Sequence, residues 1–512
     1  MAHRLVVALT TLLGLTAATV VGSYLFLFAG TADRAASFAP PDSVAYLNVY
    51  LEPSAGQQMN LGALLGHVAG LGDEAALETK IDEIAQRLLG QVGVDYRRDL
   101  RPWIGGQVAL AIGAPADATS APTFLVIAAV NDAAQAEAAL DRLAARDGTG
   151  GTTEAYAGAS LHIAADGGTA AIVDGVALFA PDRDGVRAAI DRHMGGGALA
   201  GASAFTSAMA GLPADHLASL YLDLERAASV AGIDVPLSVA SFALLAEPDA
   251  VRLRGAVPLP TTSGDAAGAP SLGPATIDGL AEWLPADTQV SATVSRLGEM
   301  VGALERAASS IPEAAQALTQ LRALAVLGLG IDIERDVVPL LGGGTAIGVH
   351  DLAGTPHGVL VLAPPDPAAA AATLDHVADA LESRGFERDG QVIGGVEVTT
   401  LSVPDVGSVA YAAVDEVLLL ALGADEIGLA IDARASGRTL AADPGYRAAF
   451  GLVGEPGANR LYVDLASLIG SFDGLAGLDA DTRAILDPIR RLAINAPIDA
   501  DRLEINAVVT VE

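Results

Sequence analysis

Two stretches of this chain repeat each other in order, and that repetition limits the fold more than any other feature. Gly93-Val94-Asp95-Tyr96-Arg97-Arg98-Asp99-Leu100-Arg101-Pro102-Trp103-Ile104-Gly105-Gly106 matches Gly330-Ile331-Asp332-Ile333-Glu334-Arg335-Asp336-Val337-Val338-Pro339-Leu340-Leu341-Gly342-Gly343 without a gap, at an offset of 330 − 93 = 237. A second block, Val173 to Leu224, repeats as Val414 to Leu465, at 414 − 173 = 241. Within it Val173-Asp174 matches Val414-Asp415, Ile190-Asp191 matches Ile431-Asp432, and Phe205 matches Tyr446. Leu220-Tyr221-Leu222-Asp223-Leu224 matches Leu461-Tyr462-Val463-Asp464-Leu465. Pro40-Pro41-Asp42-Ser43 opens the first copy as Pro285-Ala286-Asp287-Thr288 opens the second, at 285 − 40 = 245. Offsets that drift by a few residues mark loop insertions between colinear copies. Between them, 258–279 is rich in Gly, Pro, Ser and Thr and reads as a linker. The expected organisation is residues 1–34 as cytoplasmic stub and anchor, 35–257 as the first unit, 258–279 as linker and 280–512 as the second unit.

Each unit reads as α+β. Ser43 to Leu51 alternates as a strand. Glu74 to Leu89 carries Leu77, Ile81, Ile84 and Leu88 at helical spacing. Gln107 to Ile112 and Thr123 to Val130 read as paired strands, and Asp132 to Arg146 as a helix capped by Asn131 or Asp132. Asp174-Gly175 between two apolar runs, Ala170 to Val173 and Val176 to Ala180, predicts a tight hairpin. Asp184 to His193 follows as a short helix, and Leu217 to Leu224 and Val251 to Pro258 as late strands. This order predicts a mainly antiparallel sheet with packed helices, not a doubly wound parallel sheet.

Leu5 to Gly30 carries no charged residue, and a helix needs about 20 apolar residues to cross a bilayer. Arg4 precedes the run, while Asp33-Arg34 follow it with no net charge, so the positive-inside bias puts the remainder outside the cytoplasm. A cleaved signal peptide is the competing reading, with Gly30-Thr31-Ala32 as the small-residue cleavage site. Signal h-regions run to about 7–15 residues, so the length favours an uncleaved anchor. Val326 to Ile331 and Val417 to Leu422 are too short to span and read as buried elements.

Formal net charge is −33 over 512 residues, with a pI of about 4.4. So acidic a surface repels phosphate backbones and excludes nucleic acid as a partner. With aromatic residues at 4%, platforms for sugars or single strands are scarce. Lys80 is the only lysine; the arginine bias fits a GC-rich genome and fits salt adaptation equally. No cysteine is present, which removes disulfides, thiolate metal sites, thiol nucleophiles and lipidation of an N-terminal Cys.

The search for chemistry ends without catalytic, cofactor-binding or metal residues to assign. Asp95, Arg98 and Asp99, with Asp332, Arg335 and Asp336, form the best polar constellation. As function they would be an acid–base pair or a cation site. As structure, Asp95 caps a short turn, Arg98 pairs with a carboxylate, Pro102 ends the turn and Gly105-Gly106 lead into a strand. Recurrence in both copies favours structure, because folds repeat where active sites diverge. Asp182-Arg183-Asp184-Gly185 lacks the third oxygen ligand and distal Glu of a calcium loop and reads as a hairpin exit with a helix cap. His350 and His357 flank a short loop and approach across a hairpin, without counterparts in the first copy. Zinc spacing, a G-x-S-x-G elbow, a Ser–Lys dyad at Lys80 and a Walker loop are all missing. Gly342-Gly343-Gly344 with Gly348 leads into a strand rather than a helix, the opposite of a dinucleotide loop.

An apolar run, a Pro-x-Asp-Ser/Thr opening and Gly-Val/Ile-Asp-x-x-Arg-Asp-Leu/Val-x-Pro-x-Ile/Leu-Gly-Gly leading into a strand resemble a bacterial family of exported proteins, domain of unknown function 3352. The resemblance covers nearly the whole chain beyond the apolar run. It implies a bacterial envelope protein with no assigned activity, and it supplies no catalytic residues to carry over. The expected role is a membrane-anchored, extracytoplasmic binding or scaffold module that meets an envelope protein. The competing roles are a carrier or sensor of a lipid or other apolar ligand, and a hydrolase with a nonstandard carboxylate site. A large apolar cavity favours the carrier, an exposed apolar patch the binding module, and a cleft of carboxylates with raised pKa the enzyme.

Overall fold

The computed structural model describes residues 33–68, 79, 82–83, 85–87, 94–115, 122–145, 151–230, 239–258, 277, 279–295, 297–299, 301–302, 305, 312–352, 356–403, 407–454, 459–471, 483, 486–499 and 502–512. The Leu5–Gly30 run, Lys80, most of the Glu74–Leu89 helix and nearly all of the 258–279 linker lie outside these residues. Among the described residues no helix is long and apolar enough to cross a membrane. The chain divides into two compact units, Met1–Pro260 and Thr261–Glu512. Each is α+β and built on an antiparallel sheet.

The first unit contains β1 (Ser43–Tyr50), β2 (Ile104–Gly113), β3 (Thr123–Val130), β4 (Thr152–Tyr156), β5 (Ala159–Ile163), β6 (Thr169–Val173), β7 (Val176–Ala180), β8 (Ala218–Asp223), β9 (Val239–Glu247) and β10 (Ala250–Pro258). They pair in the order β4-β5-β6-β7-β3-β2-β1-β8-β9-β10, antiparallel throughout. Its helices are α1 (Ala55–Gly66), α2 (Ala133–Ala144), α3 (Arg183–Asp191), α4 (Ser203–Ala210) and α5 (Leu224–Val230). Asp132 caps α2 by accepting from the Gln135 N–H at 3.0 Å. Asp174 and Gly175 both take positive φ, 48° and 74°, in the β6–β7 hairpin, the pairing a two-residue turn of this twist requires.

Alternation along the strands sends side chains to both faces. Leu125, Ile127, Val176 and Leu178 face Val186, Ala189 and Ile190 of α3. Ala128 and Ala177 face Trp103 together with Ala136 and Ala139 of α2. Alanines on both sides of that contact let helix and sheet approach closely, and the Trp103 ring, stacked on Phe179, fills the space they leave. Strands β4, β5 and β9 were not legible in the sequence. The first two are short and half-exposed, so their apolar signal is weak.

The second unit contains β11 (Val290–Ser295), β12 (Gly344–His350), β13 (His357–Ala363), β14 (Glu387–Ile393), β15 (Val396–Val403), β16 (Gly407–Val414), β17 (Val417–Leu422), β18 (Asn459–Asp464), β19 (Ile489–Asn495), β20 (Ile498–Asp499) and β21 (Arg502–Val511). They pair in the order β14-β15-β16-β17-β13-β12-β11-β18-β19-β21, again antiparallel, with β20 as a short hairpin partner of β21. Strand for strand, this is the connection order of the first unit. Its helices are α6 (Pro312–Leu324), α7 (Pro367–Glu382), α8 (Ala424–Ser436), α9 (Pro444–Leu452) and α10 (Leu465–Ser471). Val359, Val361 and Leu419 face Ile427, Ala430 and Ile431 of α8. Leu362 and Leu418 face Leu374 and Ala378 of α7, with Leu340 beside them.

One sequence expectation fails here. Val326 to Ile331 is not a buried element: Val326 is 47% and Leu327 83% exposed. They lie in the π-helical turn Ala325–Leu329 that ends α6, and Leu324 at the end of α6 is exposed on the same side as Leu327. Val417 to Leu422 is the expected buried element, a strand with Leu420 half-buried and Leu422 exposed.

Each core holds phenols at high pKa. Burial pushes Tyr50 up to about 12, helped by the charge of Asp33. Burial likewise pushes Tyr411 and Tyr462 up to about 12, and Tyr46 well above its ordinary value. An unfolded tyrosine ionises near pH 10. The stability from keeping these phenols neutral is therefore fully present below about pH 10 and is lost as pH rises through about 12. Alkaline titration is expected to show phenolate absorbance and loss of near-UV circular dichroism rising together in that window. The full phenolate absorbance of all nine tyrosines developing near pH 10 with the fold intact would contradict the burial.

Candidate functional site

The repeated acidic motif forms a reciprocal cap. In the first unit Asp95 accepts from the Arg98 N–H at 3.2 Å, and its own N–H donates to Asp99 Oδ2 at 3.3 Å. In the second, Asp332 accepts from the Arg335 N–H at 3.0 Å and donates its N–H to Asp336 Oδ2 at 2.8 Å. Both turns are π-helical, Tyr96–Leu100 and Ile333–Val337. Without these carboxylates, the first N–H groups of each turn have no acceptor. Arg335 grips Asp336 with two bonds, 2.6 and 2.7 Å. That pairing holds the Asp336 carboxyl below its ordinary value, the reverse of what a general acid needs. In the first unit the expected partner, Arg98, is replaced: Arg142 of α2 faces Asp99 at 3.6 Å. Trp103 completes the first motif, its Nε1–H donating to the Asp99 carbonyl at 2.5 Å.

Asp95→Ala and Asp332→Ala are each expected to destabilise their own unit by about 1 kcal/mol, the usual worth of an N-cap. Urea unfolding followed by hydrogen exchange of each unit measures this. Unchanged stability in either variant would contradict the capping role.

Asp182 is the cap of α3, accepting from the Gly185 N–H at 2.8 Å. His350 and His357 do meet, as directly opposed residues of β12 and β13 with ring centroids 5.8 Å apart. What joins them comes from a distant helix and is not signalled by the local sequence. Glu426, in the first turn of α8 and 8% exposed, lies 2.9 Å from His350 Nε2 and 3.2 Å from His357 Nδ1. Its two oxygens pin the helix start to the end of the hairpin. Among the described residues no group of three or more His, Asp or Glu is arranged to hold a metal ion.

The segments that lead into the two sheets carry a further repetition. Asp33-Arg34-Ala35-Ala36-Ser37-Phe38-Ala39-Pro40 aligns with Asp278-Gly279-Leu280-Ala281-Glu282-Trp283-Leu284-Pro285 at 278 − 33 = 245. Each forms a 3-10 turn, Ala35–Ser37 and Leu280–Trp283. In each, the Ser/Thr of the Pro-x-Asp-Ser/Thr turn donates its hydroxyl to the proline carbonyl at 2.7 Å. In each, the residue before the proline accepts a backbone bond, from Leu199 at 3.0 Å and from Leu440 at 2.8 Å. The aromatic ring is buried under a basic side chain at the end of the following helix. His193 stacks on Phe38 at 4.0 Å, and the Arg434 guanidinium lies 5.1 Å above Trp283.

A cleft of about 820 Å³ opens in the second unit beside this segment. Gly279, Leu280 and Trp283 form one wall, Gly342–Gly344 and Ala363–Pro365 another, and Glu299, Asp415, Glu416 and Arg434 bring the charges. Arg434 is paired with Glu282. Gly342-Gly343-Gly344 lead into β12, as expected. Gly343 is required by close approach, since a Cβ there would overlap the carbonyl oxygen of Ala363.

No curated protein matches the chain. Among solved structures, crystal form III of TP0453 is similar at 11% identity over 46% of this chain and 84% of that one, with a TM-score of 0.25. Form IV follows at 10% over 44% and 79%, TM-score 0.25. Form I is at 12% over 45% and 79%, TM-score 0.24. The model of the family DUF3352, described as a protein of unknown function, matches residues 5–510, and the chain belongs to that family.

Proposed function

We propose that this is a membrane-tethered binding module of the bacterial envelope, made of two homologous copies of one α+β unit and working outside the cytoplasm by holding a protein partner. One observation carries the non-catalytic reading. The acidic motif common to both copies is consumed by backbone caps, with Asp336 held ionised by Arg335. Homology between the units is supported by the identical strand order and the colinear motifs. The tether is supported by the uncharged Leu5–Gly30 run, which ends three residues before Asp33. Asp33 already belongs to the fold, accepting from the Tyr46 hydroxyl at 2.7 Å and Gln107 Nε2 at 2.8 Å. A tether this short would hold the first unit close to the bilayer. The cleft carries carboxylates, an arginine, glycines and prolines, a lining better matched to a polypeptide than to an acyl chain.

The test is native mass spectrometry of the full chain extracted from membranes in mild detergent. A protein partner at fixed stoichiometry is the expected result. A persistent lipid mass released only by organic solvent would overturn it in favour of a carrier.

A further inference from the structure

The structure assigns to the cleft of the second unit a ligand class: a guanidinium group, presented by an arginine side chain of a partner polypeptide. The assignment rests on the two units being copies of one another, and it comes from what the first unit places at the corresponding position.

In the first unit that place is taken by Arg34. Its guanidinium reaches from the lead-in segment to the β6–β7 hairpin, where Nη2 donates to the Asp174 carbonyl at 2.5 Å. The turn fits closely around it, since a Cβ on Gly175 would lie 3.7 Å from Arg34 Nη2. The Asp174 carboxylate is engaged as well, 3.0 Å from His193 Nε2. Arginine, hairpin turn, buried ring and helix end are thus linked in one assembly at the surface of the unit.

In the second unit the residue aligned with Arg34 is Gly279, at 279 − 34 = 245. A Cβ there would meet nothing within 4 Å, and the backbone sits at φ 86°, where an L side chain is strained. The space that Arg34 spans in one unit is therefore part of an open cleft in the other. Its surroundings still suit a cation. Asp415 aligns with Asp174, and Gly175 is replaced by Glu416, so the turn has gained a carboxylate. Among the described residues neither Asp415 nor Glu416 has an ion-pair or hydrogen-bond partner. Glu299 also lines the cleft, and among the described residues the one cation of the lining, Arg434, is paired with Glu282. The preceding segment, 259–276, contains no Lys or Arg. A planar fork facing two adjacent carboxylates suits guanidinium better than ammonium.

The experiment titrates the full chain in detergent, at about 0.15 M salt to screen nonspecific attraction, with N-acetyl-arginine amide by isothermal calorimetry. The lysine and citrulline counterparts serve as comparisons. One saturable site is expected, at least tenfold weaker for citrulline and weaker for lysine. The exposed double variant Asp415→Asn/Glu416→Gln should lose it by at least tenfold. Arg34→Ala should raise the stoichiometry from one to two, by vacating the matching place in the first unit. If the natural chain binds no arginine while Arg34→Ala gains one site, the second-unit site is overturned and the correspondence between units stands. If neither binds, both are overturned. Binding that survives Asp415→Asn/Glu416→Gln, or that citrulline matches, overturns the guanidinium assignment.

Discussion

Gly343→Ala is expected to destabilise the second unit by about 3 kcal/mol, the upper end for forcing extra volume into a packed site. The added methyl would overlap the Ala363 carbonyl oxygen. That oxygen cannot swing away cheaply, because Ala363 is paired with Gly344 at the first rung of the β12–β13 ladder. Relief would therefore require breaking the start of the strand that also lines the cleft. Gly342→Ala is the control: its nearest neighbour would be the Pro339 carbonyl oxygen at 3.3 Å, a contact that small shifts relieve. Urea unfolding with hydrogen exchange of β12 and β13 distinguishes the two. Equal stability of Gly343→Ala and the natural chain would contradict the register described here.

Trp103→Ala is expected to cost the first unit about 3–5 kcal/mol. The ring is 1% exposed and packs in the alanine-rich contact between α2 and the sheet. It also stacks on Phe179 at 6.4 Å between centroids. The alanines on α2 and on the facing strands are too short to refill the vacated space, so a sizeable cavity term is expected. Trp103→Phe keeps most of the ring and removes the bond to the Asp99 carbonyl, which is worth about 1 kcal/mol. The difference between the two variants separates packing from capping. A loss below about 1 kcal/mol for Trp103→Ala would mean that α2 does not depend on this ring.

What was legible in the sequence was the local chemistry of turns and caps. Asp132, Asp182, Asp95 and Asp332 all cap as their positions imply, and Asp174-Gly175 makes the hairpin. These signals act over three or four residues, so they survive without knowledge of tertiary contacts. The long-range partners were not legible. Arg142 rather than Arg98 faces Asp99 because α2 packs across the motif from more than 40 residues away, and no spacing rule reports that. Glu426 joins His350 and His357 from a helix 76 residues beyond the first histidine. Val326 and Leu327 are exposed together with Leu324, which shares a helical face with Leu327 three residues on, so an apolar run alone did not report burial. Gly279, one of the residues lining the cleft, stands out only when it is set beside Arg34. The Asp-x-x-Ala-x-Phe/Trp-x-Pro repetition that aligns them was present in the sequence, just upstream of the openings.

The proposed role is to hold a protein partner outside the cytoplasm rather than to transform a substrate. The most direct measurement places a photo-reactive benzoylphenylalanine at Glu416, on the rim of the cleft, in intact cells carrying the full chain. The adducts formed on irradiation are then examined after treatment with a membrane-impermeant protease. The account predicts one discrete protein adduct that the protease digests once the outer barrier of the cell is opened, with the inner membrane still sealed. No protein adduct, adducts to lipid alone, or an adduct that stays protected behind the inner membrane would contradict it.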